Sequence, residues 1–458
     1  MRIITDIPLT MGFIKQILGY GCRQNDTRLI NAICTDSREI KENDLFIPLR
    51  GETYDAELFL DDVKKIGAYT MSAKNKIADI RVPDTSAALL KIAAAYKKLL
   101  NVKKTVAITG SVGKSTTKNL TFNFLKSKYK VHATEGNLNN EIGVPFTVLS
   151  AQRDTEILVI EAGMNHQGEL ARISECIIPD IAVITNIGTS HIGNFGTREA
   201  IANAKREILL ASSPIALIPH GEPLLSGIPR VKTVSTSSQS ASYYLLSDYK
   251  NGMLRFDFYS EKLVLKEIQT SFVARHISEC LAYTLAICAE LDFSVEEIFA
   301  SIDEINRVST LLEKRAVRFG DFYILDDSYN SSYESIYCAF KTLKAQSGTP
   351  CALIGDILEL GASAEKIHRH VGMLCADAKL SKLYLLGRFA KDVAYGAMQN
   401  GMSKDRIFIN ENLDFPEITA MQIIENSEND DVILFKASHK MNLSRIASLI
   451  EKMQKQKG

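Results

Sequence analysis

The stretch TGSVGKSTTKNL, Thr109 to Leu120, holds residues that could cradle a phosphate. Gly110 and Gly113 flank Ser111 and Val112, and Lys114, Ser115 and Thr116 follow directly. A glycine turn at a helix start aims backbone amides at one spot, a lysine can reach β- and γ-phosphates, and a hydroxyl beside it can ligate Mg2+. The spelling departs from the general P-loop, whose first glycine lies five residues before the glycine of Gly-Lys-Ser/Thr. Ile108 occupies that place, and Gly110 stands only three residues ahead of Gly113.

A metal-bound phosphate also needs carboxylates, and EILVIEAGMNHQGEL places Glu161 at the end of the apolar run ILVI. IAVITNIGTSHIGNFG repeats the arrangement, with Asn186 at the end of IAVIT and His191 five residues on. Ligands of open α/β sheets bind beyond the carboxyl ends of the strands, so these residues are candidates for one crevice. For a single loop histidine, structural and exposed roles stand beside the functional one. Lys205 lies on the helical stretch REAIANAKREILL. From chemistry alone it reads as a solvated lysine, because a second cation near Lys114 and Mg2+ would be repelled.

The elements that must position these groups follow from patterning. TVAIT is a continuous β-branched and apolar run, suited to a strand buried on both faces, and Leu120, Phe124 and Leu125 recur at helical spacing after the glycine turn. From Thr105 to about Lys314 strands alternate with helices. STSSQSAS and the following YYLLSDYKNGMLRFDFYS predict a small antiparallel insertion or flank. After about Arg315, the runs DFYILDD, CALIGD, KLYLLG, RIFIN and DVILFKA alternate with helical segments, which predicts a second parallel α/β unit. A chain of 458 residues, at roughly 150 per domain, suggests three domains.

Composition excludes several classes. Lys+Arg and Asp+Glu both total 54, so no net charge advertises a nucleic-acid or membrane surface. The eight cysteines, Cys22, Cys34, Cys176, Cys280, Cys288, Cys338, Cys351 and Cys375, form neither a CxxC pair nor a zinc spacing and read as buried thiols of a reducing cytosol. No apolar run approaches the roughly 20 residues needed to span a bilayer, and the N-terminus lacks the features of a signal peptide. These features predict a cytoplasmic protein.

In order, TGSVGKST, EGNLNNEIGVP, IEAGMNHQGEL, NIGTSHIGNFGTREAIANAKREIL, DDSYN and GDILELG with HRHVG resemble the Mur ligase family over nearly the whole chain. The short Gly-x-x-Gly-Lys loop is that family's own form. The resemblance implies an α/β protein of three domains: a UDP-substrate domain over 1–102, a central P-loop ATPase over 103–314 and a Rossmann-like domain over 315–458. It implies that ATP and Mg2+ are used to join D-alanyl-D-alanine to UDP-N-acetylmuramoyl-tripeptide through an acyl phosphate, by a monomer. Carried over residue by residue, Lys114 binds the transferred phosphate, and Ser115, Glu161 and His191 surround the metal. Lys205 matches a lysine carbamylated by CO2, which reverses its charge and makes it a metal-side ligand. Gly110, Ser111, Val112, Gly113, Thr116, Asn186, His276, Asp326 and Asn330 fall on nucleotide contacts, Asn137 and Asn140 on the substrate crevice, and Ser37 and Arg38 on UDP contacts.

The chain departs from the family pattern at its rim. HISEC replaces HNxxN, so that Ile277 and Cys280 stand in place of amides; Ser309-Thr310 replaces a Gly-Arg pair; DDSYNSSY has Tyr333 where proline is usual; and KASH, Lys436 to His439, replaces KGSR. Two other readings therefore stay open: an amide ligase of the same superfamily with another acceptor, and a nucleotide-binding protein that has lost turnover.

Overall fold

A computed structural model describes residues 1–20, 26–51, 55–212, 214–250, 253–270, 277–307, 317–328, 330–344 and 346–455. His276, Ser309-Thr310 and Cys22 of the sequence reading lie outside the described residues. Three larger sheets succeed one another along the chain, of five, nine and six strands.

The first sheet runs Arg2–Ile3, Ile33–Cys34, Leu45–Phe46, Tyr69–Ser72, Ile80–Arg81, with only the first pair antiparallel. Its strands are short, and a buried ion pair ties them: Arg2 Nε and Nη2 donate to the Asp44 carboxylate at 2.7 and 2.8 Å, and Asp44 is fully buried. The helix Thr85–Lys97, capped by the Asp84 carboxylate, joins this unit to the next one. Its fully buried Tyr96 accepts from Ile7 N–H at 3.2 Å and donates to the Ala151 carbonyl at 3.3 Å.

The nine-stranded sheet carries the candidate site. Its order is Val264–Thr270, Met253–Tyr259, Tyr243–Lys250, Val231–Ser235, Ile215–Pro219, Ile181–Ile184, Lys104–Thr109, Ile157–Glu161, Val131–Ala133. Lys104–Thr109 is an interior strand, third from one edge, and pairs in parallel with Ile157–Glu161 on one side and Ile181–Ile184 on the other. Alternate residues feed two cores. Val106, Ile108, Val159 and Val183 pack with Leu120, Phe124 and Leu281, while Ala107, Ile160 and Ala182 pack with Phe146, Leu170 and Ile201. Both faces are covered by helices, which is why these strands read as unbroken apolar runs.

The segment expected as an antiparallel insertion or flank is a flank of this same sheet. Tyr243–Lys250 pairs in parallel with Val231–Ser235 through Tyr243 and Tyr244, and its two following strands run antiparallel. The third sheet has the order Val317–Phe319, Phe322–Asp326, Asp431–Lys436, Thr349–Gly355, Lys382–Leu386, Ile407–Asn410. All five predicted runs form its parallel strands, and Val317–Phe319 adds an antiparallel edge. Among the described residues no helix is long and apolar enough to cross a membrane. The seven described cysteines are free thiols.

Candidate active site

Two adjacent strands end in the phosphate loop and Glu161, and a third continues into Asn186, so the sheet itself brings the groups together. The chain leaves Lys104–Thr109, visits one side of it through Val131–Ala133 and Ile157–Glu161, then crosses to Ile181–Ile184 on the other. That reversal opens a crevice at the carboxyl ends. The loop leaves Thr109 with Gly110 at φ 144° and enters the helix Lys114–Leu125 with Gly113 at φ 88°. A Cβ on Gly110 would lie 1.8 Å from Thr185 Oγ1, so both the backbone angle and the space demand glycine.

Asn186 forms the floor of this loop. Its Oδ1 accepts from Ser111 N at 3.1 Å and Val112 N at 2.9 Å, and its Nδ2 donates to the Val112 carbonyl at 3.0 Å. Thr185 Oγ1 donates to the same carbonyl at 2.6 Å, and Gly188 N donates to Ser111 Oγ at 2.8 Å. Lys114 folds back across the loop, its Nζ donating to the Gly110 carbonyl at 2.8 Å. Burial lowers its pKa, and the Glu161 charge opposes that shift. Thr116 lies half-buried in the same first turn.

Glu161 is 2% exposed and sits opposite Ile108 in the strand register. Its Oε1 accepts from Ser115 Oγ at 3.1 Å and Asn139 Nδ2 at 2.9 Å, while its buried Oε2 has no hydrogen-bond partner. A buried carboxylate oxygen without a donor is a cost that a cation would relieve, so Ser115 and Glu161 fit a Mg2+ ion. Among the described residues no group of three or more His, Cys, Asp or Glu side chains converges on one metal position. Mg2+ needs few protein ligands, because it keeps waters and shares phosphate oxygens.

Lys205, on the helix Arg198–Arg206, is 2% exposed. Burial first, and the neighbouring Lys114 charge second, push its pKa well below that of an ordinary lysine. The solvated-lysine reading is thereby overturned: Lys205 is a buried amine held toward its neutral form.

His191 begins the short helix Ile192–Phe195 in the left-handed conformation, φ 64°. Its Nδ1 lies 2.7 Å from Glu359 Oε2, so it faces the third unit, and no hydrogen bond joins it to Ser115 or Glu161. Asn137 is exposed on the loop before this crevice, and Asn140 Oδ1 accepts from Ile142 N and Gly143 N, starting the helix Gly143–Leu149. Asp326 ends its strand and accepts from Ser328 N and Oγ, and the exposed Asn330 accepts from Ser331 N. The carbonyls of Asp327 and Asn330 both accept from Lys436 Nζ, which is 3% exposed and whose pKa burial lowers to about 8. In the first unit, Arg38 forms a two-bond pair with Asp36 at 2.8 and 2.6 Å and Ser37 is half-buried; neither joins the phosphate-loop network.

Asn139, Lys118 and Thr134 belong to the site without any signal in the sequence, and Cys280, noted there only as a departure from the family pattern, gains a place. Asn139 stands in a run where three asparagines look alike, and only its contact with Glu161 separates it. Lys118, one turn after Lys114, is buried and donates to the Thr134 carbonyl at 2.7 Å, while Thr134 Oγ1 accepts from Glu161 N at 3.0 Å. Cys280, where the family pattern has an amide, packs behind the loop, its Sγ donating to the Gly113 carbonyl at 3.8 Å; burial pushes this thiol up to about 12.

Known proteins resemble this chain along nearly its full length. Residues 108–287 match the Mur ligase middle domain. The UDP-N-acetylmuramoyl-tripeptide--D-alanyl-D-alanine ligase of Bacillus subtilis (strain 168) is 32% identical over 93% of this chain and 95% of its own length. The same-named ligase of Escherichia coli (strain K12) is 29% identical over 83% of this chain and 86% of its own. Among solved structures, MurF from Acinetobacter baumannii superposes with a TM-score of 0.85 at 25% identity, covering 98% of this chain and 100% of that one. MurF ligase from Thermotoga maritima, solved with ADP, gives 0.80 at 27% identity over 93% and 98%. The three-unit α/β architecture, the short phosphate loop and similarity along nearly the full length of both chains place this protein in the Mur ligase family, among the UDP-N-acetylmuramoyl-tripeptide--D-alanyl-D-alanine ligases.

Proposed function

We propose that this chain is an ATP-dependent ligase that joins D-alanyl-D-alanine to UDP-N-acetylmuramoyl-tripeptide, a step of cytoplasmic peptidoglycan precursor synthesis, releasing ADP and phosphate. A carboxylate resists attack by an amine until it carries a leaving group. In the first step a substrate carboxylate oxygen bonds to the γ-phosphorus and the β–γ bridge breaks. In the second the dipeptide nitrogen bonds to the acyl carbon, the C–O bond to phosphate breaks and the amine proton is lost. Catalysis of this kind is positioning plus charge neutralisation.

In this reading Gly110, Ser111, Val112, Gly113 and Thr116 line the phosphates, Lys114 swings from the Gly110 carbonyl to the transferred group, and Asn186 holds the loop in shape. Ser115, Glu161 and His191, with Lys205 as its carbamate, would hold Mg2+. The ion, when bound, neutralises charge on the phosphate oxygens. What supports the carbamate is the placement of Lys205, an amine 2% exposed on the helix Arg198–Arg206 with the Lys114 charge nearby. Burial favours the uncharged amine, which would attack CO2 and lose a proton, and the resulting anion would relieve the repulsion from Lys114.

His276, Asp326 and Asn330 would meet the nucleoside, Asn137 and Asn140 the peptide, and Ser37 and Arg38 the UDP group. The units would divide at 102/103 and 314/315 and act as a monomer. The test is phosphate release from ATP with UDP-N-acetylmuramoyl-tripeptide, with and without D-alanyl-D-alanine. Release that does not depend on the dipeptide rejects this acceptor.

A further inference from the structure

The segment from Asn186 to Gly196 is gripped from both sides. On the central side it builds the phosphate loop: Asn186 bonds Ser111 and Val112, Gly188 N donates to Ser111 Oγ, and Ser190 Oγ donates to the Ser111 carbonyl at 3.3 Å. On the other side two carboxylates of the third unit hold the same segment. Glu334, in the first turn of the helix Tyr333–Lys344, accepts from Thr189 N at 2.8 Å and from Thr189 Oγ1 at 3.3 Å. Glu359 meets His191 Nδ1 at 2.7 Å, and its carbonyl accepts from Gly193 N at 3.0 Å.

The fit is close as well as polar. A Cβ on Gly188 would lie 2.8 Å from Glu334 Oε1 and 3.1 Å from Ser111 Cβ, so Glu334 and the phosphate loop touch the same residue. A Cβ on Gly193 would lie 2.4 Å from the Glu359 carbonyl. We propose that Glu334 and Glu359 are positioning residues: a two-point clamp by which the third unit, on docking, fixes the Asn186–Gly196 segment and through it the shape of the phosphate loop. This rests on the ligase reading for its kinetic consequence, though not for its structural one. Neither carboxylate touches the phosphate loop's amides. Their effect passes through Thr189 and His191, and both contacts exist only while the two units are docked.

The test uses the full chain with both carboxylates changed, Glu334→Ala with Glu359→Ala. Small-angle scattering is recorded with a non-hydrolysable ATP analogue, and steady-state kinetics are measured in parallel. Expected is a larger radius of gyration than wild type and a kcat lower by about tenfold or more, since charge-assisted hydrogen bonds are lost from the docked state alone. KM for the UDP substrate should stay within about threefold, because its binding unit is untouched. An unchanged radius with kcat within about twofold of wild type overturns the clamp. If the double variant loses its cooperative melt, Glu334→Gln with Glu359→Gln decides. Glutamine keeps an acceptor for Thr189 N but loses the charge facing His191, so an intermediate radius and kcat support the clamp, and wild-type values reject it. Absence of dipeptide-dependent turnover in the wild type would sink the ligase reading, while scattering would still judge the clamp.

Discussion

Substituting Gly110 by alanine tests whether the short phosphate loop is a built structure or only a tolerant turn. The new methyl would sit 1.8 Å from Thr185 Oγ1 at a backbone angle of φ 144°. Overpacking of this kind costs about 1–3 kcal/mol, and an L-residue in such a backbone region about 1–3 kcal/mol more. Moving Thr185 aside would also break its 2.6 Å bond to the Val112 carbonyl, worth about 0.5–1.5 kcal/mol. The chain can escape part of this only by shifting the loop off its Asn186 floor, which ruins the amide geometry. Gly110→Ala should therefore cost about 3 kcal/mol in total, divided between a lower Tm where the loop keeps its shape and weaker ADP binding, by at least about tenfold in calorimetry, where it shifts. Thr185→Gly in the same chain removes the clashing hydroxyl and should recover part of that affinity, giving a coupling of at least about 1 kcal/mol in a double-mutant cycle. Wild-type affinity in Gly110→Ala, or no coupling to Thr185, refutes the reasoning.

Three further outcomes follow from the site. Lys205→Ala should abolish turnover while added short carboxylates restore part of it; a fully active variant rejects the carbamate. Asn139→Ala removes one of the two donors to Glu161 Oε1 and should cost about 1–3 kcal/mol in urea melts and raise KM for Mg-ATP, whereas an unchanged KM would show that the contact does not position Glu161. Lys436 has a folded-state pKa of about 8 against roughly 10.4 unfolded, so above pH 8 the unfolded chain binds more protons and stability rises with pH. Relative to Lys436→Met, the wild type should gain about 3 kcal/mol between pH 8 and 10.5, and a flat difference in chemical melts would disprove the burial effect.

Strands and their order of chemistry were legible because each parallel strand is buried on both faces and reads as an apolar run, as with Val106 to Ile108. Gly110, Gly113, Lys114, Ser115 and Glu161 were legible for the same reason: each follows or ends such a run. Lys205 was legible only through the family resemblance, since chemistry alone makes it a solvated lysine and its burial on the helix Arg198–Arg206 is a product of tertiary packing that no local pattern announces. Asn186 was placed at the crevice, but its hydrogen bonds show it holding the loop from below, a role that depends on a segment 75 residues away. Glu334 and Glu359 were invisible as a pair, because only docking of the third unit sets them against Thr189 and His191.

That separation has a consequence for synthesis. Domains fold from the N-terminus as the chain emerges, and contacts distant in sequence form late. When Lys114 leaves the ribosome, neither flanking strand of Lys104–Thr109 nor Asn186 has been made. A nascent chain stopped before Thr185 therefore has the glycines and lysine of the loop without its floor, and cannot hold a nucleotide. Retention on ATP-agarose of chains arrested at successive lengths should begin only once Asn186 and the strand Ile215–Pro219 have cleared the exit tunnel.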